Sequence, residues 1–304
     1  TTRVRFRIDG VLHEIMQRPL NIHPLLISRI KVMASMDIAE RRIPQDGRFS
    51  LKIDDKVIDI RVASLPSIYG EKLTLRLLDR GGQIMTLKQL GFLDDYLEKY
   101  IQTINLPYGF ILITGPTGSG KSTTLYASLD IVNSLHKNII TLEDPVEVRV
   151  AGLIQIQMNR KAGMTFSSGL RAILRSDPDI IMVGEIRDHE TAKIAVEAAL
   201  TGHLVFSTLH TNDAAGAVTR LGEMGVESYL TASSLVGVVA QRLMRVLCPE
   251  CRQEYTLSRE EILSSIPDFP LDPDEDHVTL YKPQGCISCN NTGYKGRIGV
   301  YEFL

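Results

Sequence analysis

The stretch Gly115-Pro116-Thr117-Gly118-Ser119-Gly120-Lys121-Ser122, followed by Thr123, decides how this chain is read. It fits the pattern G-x-x-x-x-G-K-[ST] at every position. Glycines at 115, 118 and 120 let the backbone turn tightly and bring its N–H groups close to phosphate oxygens. Lys121 puts a positive charge at the β- and γ-phosphates of a nucleotide, and the Ser122 hydroxyl is a ligand for Mg²⁺. Before the loop, Phe110-Ile111-Leu112-Ile113-Thr114 is a short apolar run of strand type. After it, the expected helix carries Leu125, Leu129 and Val132 at helical spacing. Strand, loop and helix in that order aim the helix dipole and its unpaired N–H groups at an anion. Residues 115–123 are therefore the expected phosphate-binding pocket for a nucleotide. A Gly-rich loop that binds nothing is the weaker alternative.

The 304 residues are 44% hydrophobic, enough for two or three domains with real cores. Formal net charge is −2 and the sequence pI is about 6.4, which argues against the broad basic footprint of a nucleic-acid binder. No apolar run approaches the ~18 residues of a membrane span, so direct membrane insertion is not expected. A start at Thr1 and an end at Leu304, both in strand-like sequence, read as part of a longer protein.

Residues 1–79 read as a small α+β domain. Strands 4–8 and 11–15 flank a hairpin turn at Asp9-Gly10, a helix covers 22–36, and strands 48–53, 57–65 and 71–78 follow. Asp54-Asp55 separates the first two of these. By spacing alone, Arg41, Arg42, Arg61 and Arg76 are solvated strand-face residues. Residues 80–106 read as a linker with a Gly81-Gly82 joint and a helix over 94–104. From 107 to 244 strands (110–114, 138–143, 154–157, 180–183, 203–208) alternate with helices (121–135, 165–175, 188–200, 213–224). That alternation predicts a parallel sheet with helices on both faces. The run Leu271–Asp276 is an acidic surface loop.

Four further constellations carry chemistry. Thr141-Leu142-Glu143-Asp144-Pro145-Val146-Glu147 ends a predicted strand, where the ligand crevice of a doubly wound sheet lies. Acids there serve a metal or orient water, although Asp144-Pro145 is also good turn chemistry. Ile180–Val183 leads into Gly184-Glu185. Gly184 stands where many phosphate-loop enzymes carry a Mg²⁺-holding Asp, which leaves Glu185 as the water-polarising or metal-linked acid. His203 and His210 flank the apolar run 204–209, and His210 falls where a γ-phosphate sensor would sit. Cys248, Cys251, Cys286 and Cys289 form two C-x-x-C pairs with the spacing of a closed, structural Cys₄ zinc site. The 252–285 segment between them exceeds the usual ribbon spacing of about 15–20 residues, so it must hold structure of its own. Residues 245–304 read as a zinc-binding subdomain and the start of a C-terminal region.

Together these residues resemble the bacterial type II secretion and type IV pilus assembly ATPases. The resemblance rests on the loop 115–122, the acidic box 141–147, the atypical acidic strand with its flanks (174–179 and 184–188) and the histidine box 201–211. It extends to 44–48, 222–225, 240–243 and 293–297, and so covers nearly the whole chain. It implies a homo-hexamer in which a PAS-like α+β domain precedes a RecA-like domain, with ATP between them and domain closure as the power stroke. It places Arg61 and Arg76 at the nucleotide, makes Arg171 and Arg175 a further functional pair, and casts Glu147 as general base beside Glu185. It implies a motor in the bacterial cytoplasm, peripheral at the inner membrane through platform proteins that dock on a further N-terminal region. The cysteine insert resembles assembly and secretion motors rather than retraction motors. Two rival functions stay open: a nucleic-acid translocase ring, and a nucleotide-switched scaffold with little turnover.

Overall fold

The computed structural model describes residues 1–54, 56–79, 84–272 and 274–304. The Gly81-Gly82 joint, Asp55 and Pro273 of the acidic run lie outside the described residues. The chain opens with the expected hairpin, β1 (Thr2–Ile8) and β2 (Val11–Arg18). Helix α1 (His23–Met33) follows and ends before the expected Met36, where Ser35 turns the backbone to φ +56°. Strands β3 (Gln45–Ile53), β4 (Lys56–Ser67) and β5 (Gly70–Asp79) then form an antiparallel sheet in that order. The two-residue period of a strand gives the sheet two different faces. Phe49, Leu51, Ile58, Ile60 and Val62 build a small core with Ala34 and Met36. Arg48, Arg61 and Arg76 are direct cross-strand partners on the other face.

Residues 80–106, read as linker, contain α2 (Leu87–Leu90) and α3 (Asp94–Ile104). Leu87, Phe92, Tyr100 and Ile104 are buried with Ile111, Ile113 and Phe206, so apolar burial draws this stretch onto the main sheet. That sheet begins with β6 (Gly109–Thr114), followed by α4 (Lys121–Val132), β7 (Ile139–Glu143), β8 (Ile154–Gln157) and α5 (Phe166–Ile173). It continues through β9 (Ile180–Val183), α6 (His189–Leu200), β10 (Leu204–Leu209), α7 (Ala214–Glu223), α8 (Ser228–Ser234) and β11 (Leu235–Leu247). Helix α4 stops at Val132 rather than at 135. Asn133 turns extended there, its side chain donates to the Ala151 carbonyl at 2.9 Å, and Leu135 is left exposed.

The strand order is β14-β11-β6-β10-β9-β7-β8, where β14 (Tyr294–Phe303) is antiparallel to β11 and the other neighbours are parallel. Between β11 and β14 the chain forms β12 (Gln253–Ser258), α9 (Arg259–Ser265) and β13 (His277–Lys282), with β12 and β13 paired in their own hairpin. The long inter-cysteine segment thus holds structure of its own, and β14 carries the end of the chain back to the main sheet. Strands β6, β7, β9 and β10 are buried at every residue, as a sheet covered on both faces requires. Phe110 and Leu112 face the core under α5, α6 and α7, while Ile111 and Ile113 face the core under α3 and α4. Among the described residues, no helix is long and apolar enough to cross a membrane.

Candidate functional site

Parallel strands end on one side of a doubly wound sheet, and the loops that follow them make the crevice. Here those loops follow β6, β7, β9 and β10. The loop after β6 delivers Lys121 to the first turn of α4, where it is 9% exposed. Its Nζ donates to the carbonyls of Gly115 (2.8 Å) and Pro116 (3.1 Å). Burial pulls its pKa down, and the charge of Glu185 opposes that fall. A nearly buried ammonium held by loop carbonyls at a helix N-terminus fits an anionic phosphate. Ser122 is half-buried on the same turn and could offer its hydroxyl to Mg²⁺.

The loop after β9 delivers Glu185, whose Oε2 accepts from Arg187 Nε at 2.7 Å and lies 3.7 Å from His210 Nε2. Burial holds His210 below its usual pKa, and the positive charge of Lys121 adds to the fall. The Thr114 hydroxyl ties the two strand exits together, accepting from the Thr211 N–H at 2.9 Å and lying 2.7 Å from the Thr211 hydroxyl. Gly184 has a steric reason: a Cβ there would stand 3.3 Å from the Leu142 carbonyl oxygen. Any side chain there would require the β7 backbone to give by a few tenths of an ångström.

The loop after β7 is held from behind. Glu143 is buried, accepts from Thr141 Oγ1 at 2.5 Å and Gln155 Nε2 at 3.2 Å, and is bonded by the Tyr126 phenol of α4. Burial raises the Tyr126 pKa, and the hydrogen bond to Glu143 raises it further, so the phenol keeps its proton and donates it. The same phenol oxygen accepts from the Glu147 N–H at 3.3 Å. Asp144 is occupied by Arg160, whose Nη2 donates at 2.7 Å and Nε at 2.9 Å. Glu147 itself faces the small domain across a cleft of 1270 Å³ lined by Arg48, Arg61 and Arg76. Burial lowers the Arg61 pKa, the charge of Glu147 opposes it, and Arg76 and Arg48 lower it further.

The expected site residues therefore fall into two groups. Lys121, Glu185 and His210 converge at the loop. Arg61, Arg76 and Glu147 share the inter-domain cleft, which the loop residues 115–123 do not line. His203 stands apart, with Nδ1 3.0 Å from the Ala198 carbonyl at the end of α6. Arg171 is exposed and paired with Glu190 at 2.6 Å.

The four cysteines meet as their spacing predicts. Their sulfurs lie within 4.8 Å of one another, with Cys248–Cys286, Cys251–Cys289 and Cys286–Cys289 at 3.9, 3.8 and 3.7 Å. A tetrahedron of zinc–sulfur bonds near 2.3 Å has an edge of about 3.8 Å, so the residues present fit that ion. Backbone N–H groups of Cys286 and Gly293 point at the Cys289 sulfur, both at 3.2 Å, which suits a thiolate.

Sequence reasoning passed over Tyr126, Arg187 and Gln241 as individuals. Arg187 and Gln241 lie inside stretches that carry the resemblance; Arg187 pairs with Glu185 two residues away, whereas Gln241 meets Ser119 only through folding. Tyr126 reads as one more helix residue, and nothing local marks its phenol.

Fold, loop and sulfur cluster define a RecA-like phosphate-loop α/β protein with a tetracysteine insert. The family described as "Type II/IV secretion system protein" matches residues 1–304, and the chain belongs to it. "Type II secretion system protein E" of Aeromonas hydrophila is 54% identical over 301 residues, covering 99% of this chain and 59% of that protein. "Type IV pilus assembly ATPase PilB" of Myxococcus xanthus is 50% identical over 304 residues, covering 99% of this chain and 53% of that one. The chain thus spans little more than half the length of these relatives. The crystal structure of the pilus retraction motor PilT with bound ADP superposes with a TM-score of 0.60 at 32% identity, covering 79% of this chain and 71% of that one.

Proposed function

We propose that this chain is the ATP-hydrolysing part of a motor that assembles pilins or pseudopilins in a type II secretion system or type IV pilus machine. The observation that carries the reading is the convergence of Lys121, Glu185 and His210 on the loop after β6, with arginines of the small domain poised across a cleft beside Glu147. Membership of the family supports it, as do the printed names of the relatives.

In this reading Lys121 Nζ turns from the Gly115 and Pro116 carbonyls to the phosphate oxygens of ATP. Mg²⁺ held at the Ser122 hydroxyl draws off phosphate charge when bound. Glu147 takes the proton of the attacking water at its carboxylate oxygen, and Glu185 orients that water or the metal shell. Closing of the small domain carries Arg61 and Arg76 to the charge that develops at the phosphates. Loss of the γ-phosphate removes those contacts, and the domains separate. Zinc at Cys248, Cys251, Cys286 and Cys289 acts as a structural staple. The working form is a homo-hexamer in the cytoplasm, held at the inner membrane by platform proteins.

Phosphate release by the full-length protein tests this, with and without the cytoplasmic domain of its membrane partner. Hydrolysis that the partner stimulates and Lys121→Ala abolishes is expected. ATP binding without hydrolysis in either condition would replace the motor with a nucleotide-switched scaffold.

A further inference from the structure

Gln241 is 2% exposed and lies on β11, immediately beyond the last residue pair, Ala240 with Thr114, that β11 makes with β6. At that step β6 ends and the phosphate loop begins, while β11 continues to Leu247. Gln241 is thereby left beneath the loop. Its Nε2 donates to the Ser119 carbonyl at 2.6 Å. Its backbone carbonyl fills the space where a Cβ on Gly115 would stand, at 2.4 Å, and its amide lies 3.2 Å from the Cβ position of Gly120. One residue thus meets the beginning, the middle and the end of the loop. Its Oε1 is buried with no hydrogen-bond partner among the described residues, so the recorded bond of the amide is the one it donates to Ser119. On its other side β11 is backed by β14, with Gln241 opposite Tyr301.

We propose that Gln241 is a positioning residue of the phosphate loop. By tying the Ser119 carbonyl down to β11, it turns the Gly120 N–H of the same peptide unit outward, toward the phosphates, before the nucleotide arrives. A peptide unit has one orientation: a carbonyl held inward aims the following N–H outward. The loop is otherwise rich in glycine and has little intrinsic preference, so an external anchor sets its shape. The chemistry requires a neutral donor at the end of a side chain as long as glutamine. Lysine would put a second cation beside Lys121, and an apolar residue would leave the buried Ser119 carbonyl unpaired.

The inference rests on the loop binding nucleotide, and the test separates the two. Binding of mant-ADP and steady-state ATP hydrolysis are measured for the full-length wild type, Gln241→Met and Lys121→Ala, with hydrogen exchange followed in the 115–122 peptide. Methionine keeps the length and removes the donor. The expected result for Gln241→Met is an affinity and a KM for ATP weakened about tenfold, kcat within about twofold, and faster exchange in 115–122. Unchanged affinity and exchange, or a fall in kcat at constant KM, would overturn the proposal. Should Gln241→Met fail to fold, Gln241→Glu, isosteric and polar but with an ionised acceptor facing Ser119, is held to the same criteria. If wild type binds no mant-ADP, or Lys121→Ala binds it equally well, the nucleotide reading itself fails.

Discussion

Arg187 Nε donates to Glu185 Oε2 at 2.7 Å across a single intervening residue. The Glu185 side chain is only 15% exposed, and His210 and Lys121 are its other electrostatic neighbours. A carboxylate so held is fixed in direction, as a water- or metal-orienting acid must be. Glu185→Gln keeps the shape and removes the charge. Hydrolysis is expected to fall at least about hundredfold while mant-ADP affinity stays within about threefold. A variant that still hydrolyses ATP at the wild-type rate would remove Glu185 from the chemistry.

Tyr126 joins the phosphate-loop helix to the loop that carries Glu147. In Tyr126→Phe, buried Glu143 loses one of its donors, and the Glu147 N–H loses its acceptor. The cost in stability is expected at about 1–3 kcal/mol, read by denaturant unfolding. Because Glu147 is also released, kcat should drop more than KM rises. Equal, small changes in both would confine Tyr126 to a structural role.

His210 makes stability depend on pH in a stated direction. Its folded pKa lies below the ordinary 6.5, so the unfolded chain binds the proton more readily. Its neutral form therefore favours the fold above pH 6.5, and that contribution is lost as pH falls through the folded value. Melting temperatures of wild type and His210→Gln, compared from about pH 5.5 to 7.5, should converge toward the acid end. Parallel curves would remove His210 as the source.

The sulfur cluster is expected to hold one zinc per chain. The β12–β13 hairpin lies outside the main sheet, and the cysteine turns fix both of its ends. Removing the metal with a strong chelator should lower the melting temperature by at least about 5 °C, and zinc should restore it. Metal analysis showing no zinc in protein purified without chelator would contradict the assignment.

Inside the small domain, Lys31 is 1% exposed and ion-paired with buried Glu71, which also accepts from the Ser64 hydroxyl at 2.9 Å. Lys31→Met strands the carboxylate and should cost about 3–5 kcal/mol in chemical denaturation, whereas the double change Lys31→Met, Glu71→Leu should recover most of it. A single variant as stable as wild type would show that Glu71 finds another partner.

Local chemistry made much of this legible in advance. The phosphate loop, the strand–helix alternation and the paired C-x-x-C turns each depend on residues close in the chain, whose backbone preferences and spacing are written into the sequence. The three-residue overrun of α4 beyond Val132 shows the limit, because Asn133 is drawn out of the helix by a carbonyl at Ala151. What only the tertiary structure decided are relations across long separations. Arg48, Arg61 and Arg76 became one row through strand register, and Tyr126 reached Glu143 at the end of β7 because α4 packs on the sheet across β6 and β10. Gln241 came to lie under Gly115 because β11 pairs beside β6 and runs on where β6 ends. Side-chain type sets what each of these residues can bond to, but the packing of the sheet sets which partner is there.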